Sequence, residues 1–178
     1  MDIETRWMSD YNRKEARTAF SQPGIRYSQA ESLIKSLMQD DKFRDLSLVE
    51  RKRVTERILA EIKGRMMEDI VLLETKLSKK NCEVFRLQFA IGEFDMVVFD
   101  PEEETCEIYE IKHNDKIVLQ QCRHLLDKQK CEDTAFRYGT IIGKYVIYCG
   151  ATTSLVQAGV NTQEDVACLN VEEYLKKL

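Results

Sequence analysis

Asp95, Glu110 and Lys112 are spaced so that a single hairpin would bring them together. Phe94–Phe99 and Thr105–Lys112 are rich in β-branched and aromatic residues, as strands are. Asp100-Pro101 opens a turn between them, with proline at its first central position. Pairing symmetric about Glu102–Glu103 puts Asp95 directly opposite Glu110, and opposed side chains share a face with Cβ atoms about 4.5–5.5 Å apart. Lys112, two residues beyond Glu110, falls on that face as well. Two opposed carboxylates repel unless something compensates them. A divalent cation would do so, since Mg²⁺ typically takes one or two carboxylates and keeps several waters. A neighbouring ammonium could then hold a water or steady an oxyanion. The competing reading is a Glu110–Lys112 salt bridge on a solvated strand. Ile108 and Ile111, apolar on both faces, and the apolar run around Asp95 favour a buried strand instead.

A third acid comes from upstream. Ser47 and Glu50 form a capping box, and Val54, Ile58, Ile62, Met66, Ile70, Leu73 and Leu77 recur at three and four, so the spacing predicts a helix over Ser47–Leu77. Gly64, Met67, Val71 and Thr75 make a second small or apolar face, with Glu68 inside it. A carboxylate on a covered face needs a reason. Before this helix, Pro23-Gly24 reads as a turn, Ser28 as a cap and Tyr27–Met38 as a helix, ended by the polar stretch Gln39–Asp45. Strands are expected at Cys82–Ile91, Tyr145–Cys149 and Val166–Leu169. Helices are expected at Val118–Cys131, with Leu119, Cys122, Leu125 and Leu126 inward, and at Val171–Leu178. That order describes a mixed α/β sheet flanked by helices.

With 43% hydrophobic and 33% charged residues, two prolines and seven glycines, the 178-residue chain should fold around a real core rather than stay disordered. A net charge of −4 argues against a general nucleic-acid coat. Locally, Lys42, Arg44, Arg51, Lys52, Arg53, Arg57, Lys63 and Arg65 could track phosphates, or form a solvated face with pairs such as Arg57/Glu61. Arg123 and Lys128–Lys130 are weaker candidates of the same kind. His113 and His124 read as surface or satisfied residues. Six cysteines without CxxC or ligand spacing indicate reduced thiols in a cytoplasmic protein and no zinc site. No stretch is long and apolar enough to span a membrane, and Met1–Phe20 is too charged for a signal peptide.

The segments GRMMEDIVLLET, GEFDMVVFD, YEIKH, QQCRHLLD and GKYVIYCG occur in that order. Helix-Glu, strand-Asp, strand-Glu-x-Lys, then helix resembles the PD-(D/E)xK (restriction-endonuclease-like) superfamily. More narrowly, the five segments resemble the C-terminal nuclease-like domain of prokaryotic AAA-type ATPases of unknown function, a likeness running from Arg26 to the C-terminus. The resemblance implies an αβββαβ core over residues 47–178, preceded by an N-terminal helical extension over residues 1–46. It implies Asp95, Glu110 and Lys112 as the nuclease motif, Glu68 as the helix acid, and Gln121 as a polar residue near the site. Mg²⁺, or Mn²⁺, would be held by Asp95, Glu110 and Glu68, and the substrate would be nucleic acid, most naturally DNA. Two departures stand out: no proline precedes Asp95, and no GxxxxGK[ST] occurs. The expectation is therefore a piece of a larger ATPase or a free-standing domain. A binding or regulatory module of such an ATPase, with little turnover, is the alternative function.

Overall fold

The computed structural model describes residues 23–113, 122–150 and 166–178. The chain divides into two compact units, Met1–Ile70 and Val71–Leu178, with the boundary inside one long helix.

In the first unit, α1 spans Pro23–Gln39, α2 Asp41–Asp45, and α3 begins at Leu48 and runs to Ser78. Pro23-Gly24 opens α1 rather than turning the chain, because proline suits a first helical position whose N–H has no partner anyway. Ser28 consequently lies within α1 and is not its cap. The polar stretch after α1 folds into α2, where the Asp40 carboxylate accepts from Phe43 N at 3.0 Å. The capping box of α3 forms as expected: Glu50 Oε2 accepts from Ser47 N at 2.9 Å, and Ser47 Oγ from Glu50 N at 3.3 Å. On the basic stretch, Lys52 pairs with Glu56 and Arg65 with Glu68, at 3.8 and 3.5 Å.

The expected apolar stripe of α3 does not stay covered to its end. Ile70, Leu73 and Leu77 are exposed, whereas Met67, Val71 and Thr75 on the second face are buried. Thr75 shows why at the helix end. Its hydroxyl donates to Val71 O at 2.7 Å and lies 2.8 Å from Tyr174 Oη, on the C-terminal helix α5 (Val171–Lys177).

The second unit is built on one sheet in the order β1-β2-β3-β4-β5: Glu83–Gln88, Glu93–Asp100, Thr105–Lys112, Thr140–Tyr148 and Val166–Asn170. The first three strands pair antiparallel, and β3-β4 and β4-β5 pair parallel. Between β3 and β4 the expected helix over Val118–Cys131 is interrupted: among the described residues Cys122 and Lys128–Cys131 are helical, but the stretch between them is not. Arg123–Leu126 turn, Asp127 caps a new helix by accepting from Lys130 N at 3.2 Å, and α4 spans Lys128–Tyr138. Cys122 and Leu125 are buried as expected, but Leu126 is exposed; Val118–Gln121 lie outside the described residues. Strand β4 starts five residues earlier than its apolar run suggests, because Thr140 N donates to Glu104 O at 2.9 Å at the far end of the hairpin.

One sheet face carries the core of Leu87, Phe94, Val97, Ile108, Leu125, Val146 and Tyr148, with Tyr138 of α4 against Phe85 and Phe99. Phe94 and Val97 belong to one cluster although strict alternation would put them on opposite faces. The β1-β2 register explains this: Phe85 pairs with Val97 but Leu87 with Phe94, so β2 carries an extra residue, Asp95 or Met96, opposite Arg86. Such a bulge re-aims side chains and is frequent beside functional sites. The other face carries a polar network in which Glu107 accepts from Lys79 at 2.8 Å and from the Tyr109 hydroxyl at 3.0 Å. All six cysteines are free thiols, and no described helix is long and apolar enough to cross a membrane.

Candidate active site

The β2-β3 register runs from Asp100 opposite Thr105 to Met96 opposite Tyr109, and its continuation sets Asp95 opposite Glu110. There the main-chain pairing gives way to side chains. Ile111 N donates to Asp95 Oδ2 at 2.7 Å, so a carboxylate replaces a strand carbonyl as acceptor. Lys112 Nζ lies 3.0 Å from the same oxygen and 2.7 Å from Glu110 Oε2. Asp95 and Glu110 are 5% and 1% exposed. The sequence-predicted trio of Asp95, Glu110 and Lys112 is thus brought together on one face at one end of the hairpin.

The electrostatics are those of a crowded, dry site. Burial, then the charge of Asp95, pushes the Glu110 carboxyl up to about 7, while Lys112 pulls the other way. For Lys112, burial acts against the charge, but Asp95 and Glu110 outweigh it and hold the ammonium above its ordinary range. The Cys122 thiol, buried just before the turn that precedes α4, is pushed up by burial and then by the charge of Glu110. Glu110 Oε1 is buried and has no hydrogen-bond partner among the described residues. A buried carboxylate oxygen without a donor is costly, and it is a hard ligand of the kind Mg²⁺ and Mn²⁺ select. On that observation Asp95 and Glu110 fit a divalent ion. Among the described residues, no group of three or more His, Cys, Asp or Glu side chains gathers in a metal-holding arrangement.

Glu68 sits on α3 in the first unit, its side chain 13% exposed and 3.5 Å from Arg65. Gln121 lies outside the described residues. His113 is exposed at the end of β3. His124 lies in the turn before α4, not on a helix, and its Nδ1 is 2.9 Å from Lys130 Nζ. Lys128 is a solvated partner of Glu132, but Lys130 is buried, which the sequence reading missed. Its signal was present: Lys130, Thr134 and Tyr138 recur every four residues once the helix is placed at Lys128–Tyr138.

No family model matches the chain, and no curated protein matches it. Among solved structures, a repair endonuclease from Pyrococcus abyssi is similar at a TM-score of 0.41 and 12% identity, over 58% of this chain. The matched region spans 44% of that chain, less than half its length. A likeness this distant bears on neither activity nor substrate.

Proposed function

We propose that this protein is a metal-dependent nuclease domain that hydrolyses phosphodiester bonds, with DNA as substrate, and that it serves an AAA-type ATPase in cis. The observation that carries the reading is the dry pair of opposed acids, Asp95 and Glu110, with an ammonium within 3.0 Å of both and one buried Glu110 oxygen lacking a donor. Asp95 and Glu110 would hold Mg²⁺ or Mn²⁺, with Glu68 as a further acid and Gln121 near the substrate, as the resemblance implies. When bound, the cation supplies charge neutralisation at the phosphoryl oxygens and a more acidic water. Lys112 orients the attacking water and balances charge that grows in the transition state. Ile111 N fixes the Asp95 carboxylate, so its position does not depend on the ligand.

A second reading has its own support. Lys112 already spans both carboxylates, and the chain carries a net charge of −4, which suits a binding or regulatory module with little turnover. A metal-dependent cleavage assay on single- and double-stranded substrates, run for wild type and Lys112→Ala beside melting curves, separates the two. The nuclease reading expects turnover to drop about 10²-fold or more in the variant, with nucleic-acid affinity within about threefold. No cleavage by folded wild type, with a stability change as the main effect of Lys112→Ala, would favour the module.

A further inference from the structure

A buried lysine and an exposed histidine form a hydrogen-bonded pair against the β1-β2 turn of the second unit. Lys130 is 9% exposed. Its Nζ lies 2.9 Å from His124 Nδ1 and 5.3 Å from the centre of the Phe89 ring. No carboxylate pairs with it among the described residues. A buried ammonium normally keeps an anion beside it. Lys130 also sits in the first turn of α4, where the helix dipole disfavours a cation.

The pair rests against the β1-β2 turn, which Phe89 N closes by donating to Gly92 O at 3.0 Å. Gly92 has φ +79°, and a Cβ there would come within 2.9 Å of Lys130 Nζ and 3.1 Å of His124 Cε1. The turn is bare where the two side chains approach it. Gly92 precedes Asp95 by three residues, which is about 10 Å of extended chain at most. The pair and the acids therefore share one end of β2.

The chemistry of the contact fixes the histidine. An ammonium has three donors and no acceptor, so Nδ1 must accept, and the proton of the neutral ring sits on Nε2. His124 is exposed, and its Nε2–H has no partner among the described residues. A donor held this way, backed by an unneutralised positive charge, suits an anionic oxygen. We propose that His124, oriented by Lys130, contacts a backbone phosphate of the nucleic acid beside the bond addressed by Asp95, Glu110 and Lys112. His124 is the substrate contact and Lys130 the positioning residue. The ligand's identity rests on the nuclease reading; the donor geometry does not.

The test uses the full chain with Ca²⁺ in place of Mg²⁺, so that binding is read without cleavage. Fluorescence anisotropy of a labelled single strand and a labelled duplex is followed across a salt series for wild type, His124→Ala and Asp95→Asn, beside cleavage in Mg²⁺. Long-range ¹H–¹⁵N correlation of the His124 ring reads its tautomer in wild type and Lys130→Met. Expected are an Nε2–H tautomer in wild type that is lost in Lys130→Met, and about tenfold weaker binding by His124→Ala at an unchanged melting temperature, the loss of one hydrogen bond to a charged oxygen. Wild type that binds and cleaves while His124→Ala keeps full affinity and KM would overturn this inference and leave the nuclease reading standing. Wild type that neither binds nor cleaves any substrate would overturn both.

Discussion

Replacing Glu110 by glutamine asks whether burial or the neighbouring lysine governs the carboxyl at the centre of the site. Burial and the charge of Asp95 raise this group from 4.5 to about 7 in the folded protein. The native state therefore holds the proton more tightly than the unfolded chain does. The stability that this proton confers is complete below about pH 4.5 and is lost as pH rises through about 7. At about 1.4 kcal/mol per pH unit, the loss amounts to roughly 3 kcal/mol by about pH 8. Glutamine has the shape of the protonated acid and cannot ionise, so Glu110→Gln should not suffer that loss. Urea denaturation of both proteins from about pH 5 to about pH 8 measures it. The difference in unfolding free energy should move by roughly 2.5 kcal/mol in favour of the variant across that range, a little of the loss having occurred by about pH 5. A difference constant to within about 0.5 kcal/mol would refute the reasoning. It would mean that Lys112, 2.7 Å from Glu110 Oε2, keeps the carboxylate ionised throughout. Because ligation needs the unprotonated form, Mg²⁺ should stabilise wild type more at about pH 8 than at about pH 6, and should lose that effect in the variant.

Asp95→Asn should abolish stabilisation by Mg²⁺ in a thermal melt while leaving the metal-free protein folded; equal metal responses in both proteins would put the ion elsewhere, for example at Glu102–Glu104. Ser47→Ala removes the hydroxyl that accepts from Glu50 N at 3.3 Å and should destabilise α3 by about 1 kcal/mol, read by helical circular dichroism in urea. Gly139→Ala should be far worse, more than about 2 kcal/mol in the same assay. Gly139 has φ +74°, and a Cβ there would lie 1.7 Å from Glu104 O, the acceptor that starts β4.

The local grammar of this chain was legible from residue types. Ser47 and Glu50 mark the start of α3, Asp100-Pro101 marks the hairpin turn, and that turn alone sets Asp95 against Glu110 because side chains alternate with a period of two. The five strand segments and their succession along the chain follow from apolar and β-branched runs in the same way, but not their order in the sheet. The sequence could not say which side of a two-faced helix is covered, since Ile70 and Leu73 are as apolar as Val71; the partner that decides, Tyr174, lies about a hundred residues away. Nor could it show the extra residue of β2 near Asp95, because a bulge is a property of two strands in register and not of either alone. The break in the expected helix at Arg123–Asp127 escapes the sequence for a related reason. Leu119, Cys122, Leu125 and Leu126 have helical spacing, yet Asp127 offers a cap only three residues before Lys130, and the cap governs where the helix starts. With a new helix starting at Lys128, Lys130 turns inward onto His124 and Gly92. Spacing therefore determined which acids face each other, whereas burial, and the charges it strands without partners, was decided only when distant segments packed together.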